Sequence, residues 1–179
     1  MKEKTAGSPT ELVTKRRRGR PRKMDAKCDV NPEILQEAIK QVKKIGKEYS
    51  EGDLQAEVFY LETSRPRLLK NAGVNNENYE STGKIEFDQQ RVSCMPEDDQ
   101  HIISCYLSAK AKIHFLKHSV ADITDIRLRQ TANDALLLGW SCSKMANVYG
   151  ISERAVYKRK KKALADIART YIARKTTFF

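Results

Sequence analysis

A dense run of cations near the carboxyl end is the clearest chemical signal in the sequence. Four of them follow the i, i+4, i+7, i+8 spacing that shares one face of a helix: Arg154, Lys158, Lys161 and Lys162. Arg159 and Lys160 widen this face. Such side chains bind phosphate groups through charge, and arginine also donates paired hydrogen bonds to guanine edges. The pattern favours nucleic-acid binding over its alternative, a merely solvated basic surface.

Two helices joined by a glycine turn would have to position these cations. Ser141 can cap the first helix and Ser152 the second, with Glu153 beside the positive end of that second helix. Gly150 stands where the first helix must stop, because glycine adopts positive φ without strain. Ala146 is small where the helices would cross, and the shared core is predicted to comprise Met145, Tyr149, Ile151 and Val156. This arrangement predicts a helix-turn-helix whose second helix, residues 152–162, enters a major groove.

From Trp140 to about Tyr171 the segment resembles region four of bacterial RNA polymerase sigma factors. It resembles more closely the phage transcriptional regulators of the ArpU and RinA kind. The matching residues are Trp140-Ser141, Met145-Ala146, Tyr149-Gly150-Ile151-Ser152, Glu153-Arg154, Val156-Tyr157 and Lys162-Ala163-Leu164. Arg159 departs from the pattern, which usually has an aliphatic residue there. Either the helix is rotated slightly, or the arginine stem packs and its head reaches solvent.

The resemblance implies promoter binding, late-gene control and contact with RNA polymerase. The side chains expected to face DNA are Ser152, Glu153, Arg154, Tyr157, Lys158, Lys161 and Lys162. Arg154 is expected to read a guanine edge, while the lysines mainly neutralise phosphates.

A second DNA signal lies in the amino-terminal tail, where residues 16–23 resemble an AT-hook. Glycine and proline would let an extended chain lie deep in a minor groove, and the arginines would point along A·T-rich DNA. The residues of this predicted minor-groove arm are Arg18, Gly19, Arg20, Pro21 and Arg22. A generic polybasic tail, or a nuclear localisation signal in a eukaryote, is the alternative.

The distribution of charge agrees with phosphate-bearing partners at both ends. The 179 residues carry a net charge of +11, with 10 basic and 4 acidic side chains in residues 1–30 and 10 and 2 in residues 140–179. Residues 31–139 are mildly acidic. No apolar run is long enough to span a membrane and no signal core is present, so we expect a cytoplasmic, nucleoid-associated protein, or a nuclear one in a eukaryote.

The predicted fold class is mainly α, a small helical bundle ending in the helix-turn-helix and preceded by a disordered basic arm. Asn31 and Pro32 are predicted to start the first helix, which Gly46 should weaken, and a helix whose apolar stripe begins at Ile126 should lead into Gly139. We expect the arm at 1–30, helices at 31–62, a mobile linker at 63–96 with a short strand at Lys84–Phe87, and a helical domain at 97–179. The helix-turn-helix occupies about 124–172 of that domain. The apolar stripe of Ala163, Leu164, Ile167, Ala168 and Tyr171 would pack against residues 97–120, or alternatively form a homodimer seam.

No catalytic or cofactor motif emerges, so we expect no enzyme activity and no cofactor. The pairs His114/His118 and His101/Cys105 have one-turn spacing, but four zinc ligands would have to converge, and we predict no metal site. The leading hypothesis is a sequence-specific, double-stranded DNA-binding transcriptional regulator of phage or prophage. The alternatives are a small-terminase-like DNA-packaging adaptor and an AT-hook architectural protein.

Overall fold

The computed structural model describes the backbone of residues 30–178 and the side chains of residues 30–174. Within these bounds the chain is mainly helical, as predicted, and it contains no strand. The helices are α1 Pro32–Ser50, α2 Asp53–Ser64, α3 Pro66–Asn71, α4 Tyr79–Thr82, α5 Gln89–Ser93, α6 Glu97–Ala121, α7 Ile126–Ala132, α8 Cys142–Tyr149 and α9 Glu153–Phe178. A π-helical turn, Asn133–Leu137, directly follows α7. The predicted basic arm with its AT-hook-like residues lies outside the described residues, as does Cys28.

The first helix begins where the sequence predicts. The Asn31 side chain accepts a hydrogen bond from the Glu33 amide at 2.9 Å, and Pro32 occupies the first turn. Gly46, expected to weaken the helix, lies inside it and is buried. A Cβ at this position would lie 2.7 Å from Leu136 Cδ2, so the missing side chain lets α1 approach the π-helical turn closely.

Residues 63–96, expected to form a mobile linker, contain the three short helices α3, α4 and α5. Leu69, Ala72 and Tyr79 from this stretch are buried, which ties it to the bundle. The predicted strand at Lys84–Phe87 is only one isolated antiparallel bridge between Asn75 and Glu86. The polar composition concealed these anchors because each short segment carries too few apolar residues to show a sustained helical or strand period.

One apolar core joins the amino-terminal helices to the carboxyl-terminal ones. The buried residues that form this main core are Ala38, Val42, Ile45, Leu54, Val58, Leu61, Leu69, Ala72, Ile103, Tyr106, Ala109, Leu116, Val120, Ile123, Leu128, Ala132, Leu136, Ala163, Leu164, Ile167 and Ala168. The helices predicted at 31–62 and the domain predicted at 97–179 therefore pack together around the same interior.

The helix predicted to lead into Gly139 is not a continuous α-helix. Asp125 caps it through hydrogen bonds from the Arg127 and Leu128 amides, and α7 then gives way to the π-helical turn. Ile126, expected on the apolar stripe, is 69% exposed because it lies in the first turn, outside the packed face. Gly139 ends the element with a φ of +65°.

The apolar stripe of α9 is covered within the chain. Ala163, Leu164, Ile167 and Ala168 are buried, and Tyr171 meets Phe115 of α6 edge to face with ring centroids 5.5 Å apart. The main partners are α1 and α7, with α6 contributing less than expected. Intrachain packing therefore occupies the surface that a homodimer seam would have used.

Helices long and apolar enough to cross a bilayer are absent from the part of the chain that the structure describes.

Candidate nucleic-acid interface

The α8–α9 pair is built by the local signals that the sequence carries. The Ser141 hydroxyl accepts from the Lys144 amide at 3.1 Å, and the Ser152 hydroxyl accepts from the Ala155 amide at 3.3 Å. Gly150 adopts a φ of +62°, and the following Ile151 amide donates back to the Ala146 carbonyl at 3.1 Å. Three residues thus reverse the chain between two capped helices.

A small second core holds this pair together, separate from the main core. Its buried members are Met145, Ala146 and Val156. The half-buried apolar residues packed around them are Ala135, Trp140, Cys142, Tyr149 and Ile151. The side chains predicted to form the shared core therefore meet as expected, with Ala146 buried at the crossing.

The cationic face of α9 points away from both cores. The seven residues predicted to face DNA are all exposed: Ser152, Glu153, Arg154, Tyr157, Lys158, Lys161 and Lys162. Tyr157 is 62% exposed although it is large and aromatic. We call residues 152–162 the recognition segment. The Ser152 hydroxyl already accepts a hydrogen bond as the helix cap, so its main role is to start the helix of this segment.

Some cations of the bundle have carboxylate partners, whereas the exposed cations of the recognition segment have none among the described residues. Lys110 lies 2.9 Å from a Glu62 oxygen, and Lys112 lies 3.0 Å from a Glu48 oxygen. Among the described residues, no carboxylate oxygen lies within 4.0 Å of the exposed cations Arg154, Lys158, Lys161 and Lys162. Like charges concentrated on one helix face create a positive potential that attracts anions.

Arg159, the departure from the family pattern, is half-buried rather than exposed, as is its neighbour Lys160. Both lie one helical turn from the buried Val156, at the edge of the packed face. This half-buried position favours the alternative in which the arginine stem packs. Arg154, Lys158, Lys161 and Lys162 keep the exposure predicted for them, whereas Lys160 does not.

A buried polar contact that the sequence did not predict joins α8 to the π-helical turn. Tyr149 Oη donates to Asp134 Oδ2 at 2.5 Å, and Asp134 is only 7% exposed. Burial, together with the hydrogen bond to Asp134 and its negative charge, raises the pKa of Tyr149 to about 12. A hydrogen bond with Thr131 and the positive charge of Arg159 act in the opposite direction. The partners lie fifteen positions apart, which no local pattern could reveal.

Lys144 is a second feature that sequence inspection missed. Its ammonium lies 4.1 Å from the centroid of the Trp140 ring, within cation–π distance. This exposed lysine adds a cation at the amino-terminal end of α8. A basic residue four positions after an aromatic one at a helix start is the signal that could have indicated the contact.

The pairs His114/His118 and His101/Cys105 do not form a metal centre with other ligands among the described residues. His114 and His118 stack with ring centroids 3.8 Å apart beside a cleft of about 360 Å³ lined by α2, α4 and α6. Burial and the nearby His118 lower the pKa of His114. His101 Nε2 lies 3.7 Å from the Cys105 sulfur, and no group of three or more His, Cys, Asp or Glu side chains in the described part could hold a metal ion.

Comparisons with protein-family models, with curated proteins and with solved structures found no match to this chain.

Proposed function

We propose that the protein is a sequence-specific regulator of transcription that binds double-stranded DNA through the recognition segment. The observation that carries the proposal is the exposed, unpaired cationic face of α9, presented by two capped helices across a three-residue turn. A helix is narrow enough to enter the major groove, where all four base pairs can be distinguished. The resemblance to ArpU- and RinA-type phage regulators supports late-gene promoters as the targets and RNA polymerase as a partner.

The side chains divide between two tasks. Arg154 lies in the first turn of α9, where recognition helices place their base-reading residues, and it is assigned to a guanine edge. Lys158, Lys161 and Lys162 lie further along the same face and are assigned to phosphates, which supply affinity without selecting sequence. Tyr157 adds exposed apolar surface between these two groups.

Selection from a randomised pool of duplexes tests the proposal directly. The full chain should enrich one recurrent motif, and Arg154→Ala should change the preferred base at one position at a cost of roughly 1–3 kcal/mol. Lys161→Ala should weaken binding to all duplexes alike and flatten the slope of log affinity against log salt by about one. Enrichment of no motif by the full chain would contradict the proposal.

Lys70→Ala provides the matched control, because it removes the same charge from α3, outside the α8–α9 pair. Its salt slope should equal that of the unchanged protein. A slope reduced as much as in Lys161→Ala would mean that total charge, and not the recognition segment, governs the binding.

The packaging-adaptor and architectural alternatives can be distinguished from a transcriptional regulator by a mass measurement in solution and by footprinting. A ring of many subunits in a solution mass measurement would favour the adaptor. Diffuse protection of A·T-rich DNA in a footprint, without a discrete site, would favour the architectural protein and the predicted minor-groove arm.

A further inference from the structure

Asp134 contacts the chain just before α8 and the last residue of α8. Its backbone carbonyl accepts from the Trp140 amide at 2.8 Å, two residues before α8 begins. Its carboxylate accepts from the hydroxyl of Tyr149, the last residue of α8, at 2.5 Å. One residue of the bundle therefore holds the first helix of the pair at its start and at its end.

The π-helical turn places Asp134 in this buried position. An i→i+5 turn widens the helix by one residue, and such turns recur at functional sites. Here the Leu138 amide donates to the Asn133 carbonyl at 3.2 Å, and Asn133 Nδ2 donates to Asp134 Oδ1 at 3.0 Å. Both carboxylate oxygens thus have a donor, as a buried carboxylate requires.

The small core cannot by itself fix the angle of α8. Burial of apolar surface is non-directional, and only Met145, Ala146 and Val156 are buried there. A hydrogen bond at 2.5 Å constrains direction as well as distance. The turn after Tyr149 is three residues long, so the orientation of α8 is transmitted to the start of the recognition segment.

We propose that Asp134 is a positioning residue that holds α8, and through it the recognition segment, in a single orientation on the bundle. The consequence for base selection rests on the proposed DNA-binding function. Holding one orientation should matter for base edges, which need accurate placement, and little for phosphates, which attract cations over several ångströms.

Tyr149→Phe tests the proposal, because it removes the hydroxyl and keeps the ring in the small core. Amide hydrogen exchange in α8 should become about five-fold faster, with α6 unchanged. The ratio of affinity for the selected duplex to affinity for random duplex should fall by a similar factor, while affinity for random duplex stays the same. Unchanged exchange in α8 would overturn the proposal.

Tyr106→Phe is the matched control. Its buried hydroxyl donates to Glu62 Oε1 at 2.9 Å, so the variant removes a tyrosine–carboxylate bond from the main core. It should leave the exchange of α8 and the affinity ratio unchanged, even where exchange in α6, which carries Tyr106, becomes faster. An equal loss of selectivity in this variant would show that general destabilisation is responsible and would overturn the proposal.

Asp134→Asn supplies a second variant that keeps the shape and one acceptor oxygen. It should show a smaller effect than Tyr149→Phe in both measurements, and a larger one would contradict the geometry. A selected duplex whose affinity ratio is the same in wild type and in Tyr149→Phe would also overturn the positioning role. If the wild type selects no duplex, the proposed function fails, and the exchange of α8 alone decides whether Asp134 holds that helix.

Discussion

The main core and the small core differ in how much apolar surface they bury and in the charged groups around them. The main core buries apolar side chains from α1, α2, α3, α6, α7 and α9, and several charged groups around it are paired, as Lys110 is with Glu62. The small core buries three apolar residues, relies on one buried hydrogen bond to Asp134, and supports a face of unpaired cations. Mutual repulsion of those cations opposes folding. Most of the stability therefore resides in the bundle, whereas the surface proposed to bind DNA is carried by a part with few stabilising contacts of its own.

The largest change in the free energy of unfolding should come from a substitution in the main core. Leu116 is fully buried, so Leu116→Ala should lower the free energy of unfolding by roughly 2–5 kcal/mol through lost burial and the cavity left behind. Urea titration followed by far-ultraviolet circular dichroism measures this change. Leu138→Ala is the control, because Leu138 is exposed and its loss should be small. Equal losses in the two variants would contradict the assignment of the core.

Overpacking the small core should destabilise it more than the main core, so that the two cores unfold at different urea concentrations. Ala146→Leu inserts a larger side chain where α8 crosses α9, at a cost of about 1–3 kcal/mol. Trp140, the single tryptophan of the chain, packs against this core and reports on it by fluorescence. In this variant the fluorescence transition should occur at lower urea concentration than the circular dichroism transition. Coincident transitions would show that the two cores unfold as one unit.

Two glycines in turns, one beside the small core and one beside the main core, provide a matched pair of substitutions. Gly150 and Gly52 both have positive φ, and a Cβ at either would meet nothing within 4 Å. Alanine should therefore cost about 1 kcal/mol in each turn through backbone strain alone. Gly150→Ala should lower affinity for the selected duplex, whereas Gly52→Ala, in the turn between α1 and α2, should lower only the stability. Equal effects on binding would mean that the turn after α8 has no special role.

The smallest expected effect near neutral pH is the contribution of the Tyr149 hydroxyl to the pH dependence of the free energy of unfolding. Because burial and Asp134 raise its pKa to about 12 from an unfolded value of 10, the protonated hydroxyl stabilises the fold fully below pH 10. That stabilisation is lost as the pH rises from 10 through about 12. In an absorbance titration at 295 nm, the component missing from Tyr149→Phe should lie near pH 12. A missing component near pH 10 would contradict burial of this hydroxyl.

Features set by neighbouring residues could be predicted from the sequence, and features set by distant ones could not. The caps at Asn31, Ser141 and Ser152 and the turn at Gly150 were predicted correctly, because each depends on contacts within a few positions. Helical periodicity likewise predicted the exposure of Arg154, Lys158, Lys161 and Lys162, but it did not predict that Arg159 and Lys160 are half-buried. The partnership of Tyr149 with Asp134 escaped prediction, because it depends on a π-helical turn that carries no recognised sequence signal.

The short helices in residues 63–96 were missed for a related reason. Each is at most six residues long and carries few apolar residues, with Leu69 buried in α3 and Tyr79 in α4. Their packing is decided by the surface of α2 and α6, which supplies partners that no local window contains.

Methylation interference on the selected duplex tests most directly whether the recognition segment lies in the major groove. Guanine N7 is exposed only there, so methylating it at the position read by Arg154 should abolish binding of the wild type. Arg154→Ala should lose that sensitivity at the same guanine and keep it elsewhere. Binding that tolerates N7 methylation throughout the site, or an unchanged interference pattern in Arg154→Ala, would contradict the account.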